Sequence, residues 1–404
     1  MHSIKSALLC ATALVMSIGS PALGQEATPQ EKVQDWGSFG VQTQYVDPGI
    51  KPGDDFHGHV SGKWLATAEI PADRTETGGF IDLRDLSDVR MRRIMEDAVA
   101  AKAAPGTPQA RIAAGYKAFM DTAAIEAAGM TPAYPMLTRI YSARTPDDLA
   151  ALFADPSLAS PLSAHVTIDS KNSGYYALYI GQSELGLPDR NYYLVDSPEN
   201  RDILAKYREY LTTILGAAGY ADAAAASDAV IALEKKMAAA NWDRALARNR
   251  DLTYDKLSVD QFAALAPQAP LRRFLEAMTG NSLPSHVVAT RLPPTSEELA
   301  AAKFTPEMTA KLGGGIPALA GLISSEPIPT WQAWLASRFL TSKASVLPAR
   351  IDNAHFAFFG KLLNGQQEQR ARWKRAIAAV EGQVGELAGQ VYTERHFPTT
   401  HKAE

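Results

Sequence analysis

The sequence predicts a mainly α protein, a multi-helix domain carrying one small β-hairpin at about residues 162–183. Three observations point there. Apolar residues recur at helical spacing in several separate stretches. One stretch alone breaks that period and alternates. Aspartates and prolines punctuate the boundaries of the helices.

In chain order, Ile112, Tyr116, Phe119 and Met120 form one helical face. "TPDD" at 145–148 reads as the start of another helix. "SAHVTIDSKNSGYYALYIGQ" alternates around His165, Thr167 and Asp169, turns at Lys171 to Gly174, and resumes at Tyr175 to Ile180. Ile203, Tyr207, Leu211 and Ile214 form a further face, and the alanine-rich "ADAAAASDAVIALEKKMAAA" keeps helical character. "LSVDQF" (Leu257 to Phe262) reads as a helix start. Pro- and Gly-rich stretches near 266–271, 292–295 and 312–317 read as loops. The clearest helix is the last, where Trp373, Ile377, Val380, Val384, Leu387 and Val391 step by four or three. Part of so long a stripe is expected to remain uncovered.

The first 24 residues read as a secretory signal peptide. Lys5 precedes an apolar run from Ala7 to Ile18, Pro21 breaks it, and Ala22 to Gly24 offers small residues for cleavage. The run falls short of the roughly 20 residues a membrane span needs, and no later segment could span after signal removal. A periodic pattern is missing from 25–45, which reads as a flexible lead-in, and one globular body occupies 46–398. The chain is expected to be periplasmic or secreted. Its one cysteine, Cys10, lies in the leader, so the core must hold the body together without disulfides. The 40 basic and 44 acidic residues of the 404 are interspersed, with a formal net charge of −4 and no basic tract. That excludes a nucleic-acid partner.

No catalytic and no metal-ligating residue can be assigned. The eight histidines contain no H-E-x-x-H, the spacing that puts two imidazoles and a glutamate base on one helix face. His57 and His59 could chelate together as strand neighbours beside Asp54 and Asp55, or stand as two loop histidines. The ligand set is incomplete, which favours the second reading. "GQSEL" lacks the closing glycine of a nucleophile elbow, and "GGG" at 313–315 is not followed by the G-K-[ST] of a phosphate loop.

Five segments in series carry a resemblance. They are "DPGIKPGDDFHGHVSGKWL" (Asp47 to Leu65), "IPADRTETGGFIDLRDL" (Ile70 to Leu86), "QSELGLPDRNYYL" (Gln182 to Leu194), "RNRDLTYDKLSVDQFAALAP" (Arg248 to Pro267) and "RARWKRAIAAVEGQVGELAGQVYTERHFP" (Arg370 to Pro398). In order and spacing they resemble the N-terminal half of the neprilysin and endothelin-converting-enzyme family of zinc metallopeptidases. The resemblance implies a helical lid over a substrate cavity, part of an exported zinc metalloendopeptidase acting on peptides. Zinc, its H-E-x-x-H and its third ligand are expected only in a catalytic half, so this chain is expected to bind no cofactor and to be inactive alone. Its expected partners are a peptide substrate and that catalytic domain. Residues 399–404 would be a severed connection to it. The alternative is a free-standing helical module that binds a peptide or a protein.

The resemblance also implies residue roles. Asp54, Asp55 and Phe56 would open the first packed helix, and Trp64 would anchor it. Gly186, Leu187, Pro188, Arg190, Tyr192 and Tyr193 would be structural. The substrate-cavity candidates are Arg74, Glu76 and Arg84. Family members carry an arginine for the substrate's terminal carboxylate where this chain has Glu76, which would repel one. His57 and His59 stand where the family has aromatics, and Ser61 where it has asparagine.

Overall fold

The computed structural model describes residues 42–397. The leader, Cys10 and residues 399–404 lie outside this range. The helices include α1 (Phe56–Leu65), α2 (Gly79–Ala101), α3 (Pro108–Met120), α4 (Pro146–Phe153), α5 (Pro198–Ala217) and α6 (Ala223–Ala240). They continue with α7 (Val259–Ala264), α8 (Gly315–Ser325), α9 (Ile328–Lys343), α10 (Ala349–His355) and α11 (Arg372–His396). The chain is mainly α, with one small sheet. Among the described residues no helix is long and apolar enough to cross a membrane.

Local chemistry sets several starts. Thr145 and Asp148 close a reciprocal capping box on α4, and Ser258 and Gln261 close one on α7. Each satisfies two backbone donors that a helix end leaves free. Asp222 caps α6 by accepting from the Ala225 N–H at 2.9 Å. The loop near 312–317 is shorter than its glycines suggest, because α8 already begins at Gly315.

The hairpin strands are β1 (Leu162–Asp169) and β2 (Asn172–Gln182). The turn falls at Ser170 and Lys171, earlier than the "KNSG" reading, with a register shift between Ile168 and Asp169. Asp169 explains the shift. Its carboxylate accepts from the Lys171 N–H at 2.9 Å and the Tyr254 hydroxyl at 2.8 Å, and these bonds hold its pKa below the usual carboxylate range. The hairpin also does not stand alone. Strands β3 (Asp255–Ser258) and β4 (His286–Ala289) complete a sheet in the order β1-β2-β4-β3. β4 runs parallel to β2 and antiparallel to β3. Four-residue strands are too short to show a period, so only pairing across the fold reveals them.

Two apolar cores result. The larger gathers α4, α5, α6, α8 and α9 with the inner face of the sheet, around Trp331, Trp334, Ile214 and Leu233. The smaller lies between α2, α3 and α11, around Met95, Ile112, Phe119, Trp373 and Ile377. Trp373, Ile377 and Val380 are buried there, and Val384, Leu387 and Val391 are half-buried. The stripe on α11 is therefore covered by α2 and α3 and is not left open. Val384 departs from helical geometry (φ −138°, ψ 34°), which kinks α11 within the stripe. The most exposed large apolar residues include Phe56 and Phe80 and, along the hairpin, Val166, Tyr175 and Tyr176.

Candidate functional site

The segment leading into α2 carries the three cavity candidates, and the fold separates them. Arg74 is buried, ion-paired to Asp85 and 3.8 Å from the Asp73 carboxylate. Asp73 also takes Lys374 at 3.0 Å, and Asp88 takes Arg370 at 2.9 Å. Burial raises the Asp88 carboxyl, opposed by Arg370. These alternating charges clamp the start of α2 to the start of α11. Arg74 is thus spent inside the clamp; its Nη1 is buried without a partner. Glu76 and Arg84 stay exposed. Gly78 (φ +136°) turns the chain into α2, so that Phe80, Leu83 and Arg84 share one helix face. Phe80 is 90 % exposed, and it sits beside Arg84 as an apolar group next to a cation.

Beside this segment opens a pocket of about 560 Å³, walled by α9, α10 and the π-helical turn Phe356–Leu363. It is tied to the α2 approach by Gln366, whose side-chain amide donates to the Asp73 carbonyl at 3.0 Å, and by the Gln367 and Glu368 N–H groups, which donate to the Ala72 carbonyl. Asp352 lies on its wall and accepts both Arg375 bonds at 2.9 and 2.7 Å, with Arg372 at 3.6 Å. Desolvation pushes the nearby His355 imidazole below its usual pKa, against the pull of Asp352. Arg338 reaches the same pocket. No sequence signal marks this wall, because Arg338, the pair Asp352 and His355, and Arg375 come from three different helices. Chemically it is a polar, cation-rich recess suited to carboxylates and peptide carbonyls. Within the pocket there is no nucleophile hydrogen-bonded to a base, as covalent catalysis would require.

The "LGLPDRNYYL" segment has a different role. Glu234 on α6 is fully buried. Its Oε2 accepts from the Tyr193 hydroxyl at 2.8 Å and its Oε1 from the Trp334 indole N–H at 2.9 Å. The Tyr193 oxygen in turn accepts the Leu187 N–H at 2.9 Å. Burial raises the Glu234 pKa, opposed by Arg338 and by the donors of Tyr193, Trp334 and Tyr207. A Cβ on Gly186 would collide with the Tyr207 hydroxyl and both Glu234 oxygens, so glycine is needed for close approach. Arg190 donates to the Lys311 carbonyl at 2.6 Å, Pro188 is exposed, and Tyr192 is half-buried. The motif stitches a loop to three helices.

At the other motif, Asp55 caps α1 by accepting from the Gly58 N–H at 2.8 Å, and Asp54 is exposed. Phe56 is 70 % exposed and Trp64 only half-buried, so neither is a core anchor among the described residues. His57 and His59 lie on α1, not on a strand. Two residues apart on a helix is about 200° around the axis, so the imidazoles diverge. His59 Nδ1 bonds the Ile50 carbonyl at 2.7 Å. Among the described residues no group of three His, Cys, Asp or Glu could hold a metal ion. His57 and His59, turned apart on α1, therefore do not form a chelating pair.

The family model described as peptidase family M13, for its N-terminal part, matches residues 52–404. This chain belongs to peptidase family M13. The M13 chain is 22 % identical over 369 residues to rat endothelin-converting enzyme 1, covering 88 % of itself and 46 % of that relative. It is 25 % identical over 293 residues to mouse endothelin-converting enzyme-like 1. Among solved structures, it matches the zinc metalloprotease Zmp1 of Mycobacterium tuberculosis in complex with an inhibitor. The TM-score there is 0.75 at 30 % identity, over 90 % of this chain and 53 % of that one. The chain thus spans about half the length of these M13 relatives. Zinc in the family belongs to the catalytic domain.

Proposed function

We propose that this M13 chain is the N-terminal, substrate-cavity half of an exported neprilysin-like zinc metalloendopeptidase, and that by itself it hydrolyses no peptide. The observation that carries the reading is the family match over residues 52–404. The exposed Phe80 on α2 and the cation-rich recess, which Gln366 ties to the approach to α2, support a role in holding peptide. Zinc and the catalytic base come from a catalytic domain of the same family. Combining the purified chain with a separately made M13 catalytic domain and zinc should produce chelator-sensitive peptide cleavage. One tightly held zinc on the chain alone, with chelator-sensitive cleavage, would overturn the proposal. Export rests on the leader, and exported material should begin at Gln25.

Glu76, Phe80 and Arg84 are the proposed contacts to the end of a bound peptide. The exposed Glu76 carboxylate disfavours a free terminal carboxylate nearby, so amidated peptides should bind better than their free acids. Glu76→Arg should reverse that preference, by roughly tenfold if one charge-assisted bond replaces one repulsion. Equal affinities for the two peptide forms in both proteins would remove Glu76 from the site.

A further inference from the structure

A second cavity, of about 280 Å³, is lined by Leu185, Pro188, Asp189 and Arg190 of the "LGLPDRNYYL" loop and not by its Glu234 anchor. Its floor and walls come from Gln182–Leu185, which follow β2, and from Arg291, which follows β4. Those two strands are parallel neighbours. The mouth of a parallel pair at its carboxyl end is where the two following loops part and leave room for a ligand.

The cavity is unbalanced in charge and in hydrogen bonding. Arg190, Arg244, Arg248 and Arg291 line it against the acids Glu184 and Asp189. Asp189 is already engaged with the Asn191 N–H at 2.9 Å. Three N–H donors on its lining residues are buried without an acceptor: Arg190 Nε, Arg291 Nε and Trp242 Nε1. Trp242 is 1 % exposed and lines the cavity. Leaving a buried donor without an acceptor is costly, and more so when the group is charged. Arg291 is also held at φ +59°, a region that non-glycine residues enter only when the surroundings impose it. The excess is of donors and positive charge together. A ligand that answers both is an acceptor-only anion with several oxygens. The Asn241 amide oxygen, buried without a donor, would take a hydroxyl on such a ligand or, with the amide rotated, become a further donor.

We infer that this cavity is an oxyanion-binding site, built to hold a carboxylate or phosphate group between Arg291, Arg248 and the Trp242 indole N–H. It is separate from the face that carries Phe80 and Arg84, and it does not depend on the peptidase reading.

The test is calorimetric titration of the purified chain with inorganic phosphate and, separately, with succinate, against sodium chloride at matched ionic strength. The Trp242 indole N–H resonance, assigned by its loss in Trp242→Phe, gives a second readout at the site. Saturable binding of either anion that shifts this resonance is expected, and whichever anion binds more tightly identifies the ligand class. Arg248→Gln should weaken binding about tenfold, the loss of one charge-assisted contact. Arg248 is exposed, and its backbone N–H bond to the Ala245 carbonyl at 3.3 Å is one that glutamine keeps, so this variant should fold. Arg291→Gln should weaken binding further. Absence of saturable binding by both anions, an equal response to chloride, or affinity unchanged in Arg248→Gln would overturn the inference.

Discussion

Replacing Tyr193 by phenylalanine removes one oxygen and breaks two hydrogen bonds in a sealed place. The hydroxyl donates to a carboxylate oxygen of Glu234 at 2.8 Å and accepts the Leu187 N–H at 2.9 Å. A bond to a charged group is worth about 1.5–3 kcal/mol, and a buried N–H left without a partner costs about 1–3 kcal/mol. Together the loss should be about 3–5 kcal/mol, a large share of the ~5–15 kcal/mol margin typical of folded domains. The ring itself stays, so no cavity term is added. Urea unfolding should show the midpoint falling by roughly 1–2 M, given a slope of about 3 kcal/mol per molar, the upper end of the usual range and the one a chain of this length calls for. Hydrogen exchange at the Leu187 amide should quicken selectively. In Glu234→Gln the same substitution should cost less, because the charge-assisted part of the bond is already gone. A loss under 1 kcal/mol, or a Leu187 amide that exchanges as before, would refute the view that this motif acts by anchoring a loop to Glu234.

Other outcomes follow from the same groups. Asp352→Asn should uncouple the α2/α3/α11 bundle from the larger core, because Asp352 on α10 is the anion that Arg372 and Arg375 of α11 share. Breaking a fully buried pair costs about 3–5 kcal/mol, and less is expected here because the two arginine side chains keep 19 % and 18 % of their surface in water; calorimetry should show two unfolding transitions, and one unchanged transition would contradict it. Glu234 has a folded pKa raised above 4.5 by burial, so its contribution is full below 4.5 and is lost as pH rises through the folded value. Glu234→Gln should therefore flatten the fall in stability above pH 4.5, and an unaltered pH profile would count against an ionisable buried Glu234. His355 runs the other way: its folded pKa is depressed below 6.5, so stability is present above 6.5 and lost as pH falls through the folded value. His355→Gln should remove that acid-side loss, measured as the melting temperature across the same range.

Short-range chemistry was legible in the sequence. Caps at Thr145, Ser258 and Asp55 depend on residues within one turn, and the α11 stripe depends on spacing alone. The hairpin was visible because its strands are eight and eleven residues long and adjacent in the chain. β3 and β4 were not, since each is four residues long and gains its structure only by pairing with a distant neighbour. Family membership was legible for a related reason. It rests on five local segments in fixed order, and order survives without knowledge of contacts.

What each motif residue does was decided by tertiary structure alone. Arg74, Glu76 and Arg84 look equivalent in sequence, as charges near one helix start, yet Arg74 is drawn inside by Asp85 and Asp73 while the other two face water. His57 and His59 look like a chelating pair until α1 turns them apart. Gly186 and Tyr193 acquire their meaning from Glu234, Tyr207 and Trp334, all distant in sequence. The physical reason is the same throughout. A cap or an amphipathic stripe is a relation between neighbours along one chain. Burial, and with it the strength of a charge or the cost of an unpaired donor, is a relation between segments that only the folded chain brings together.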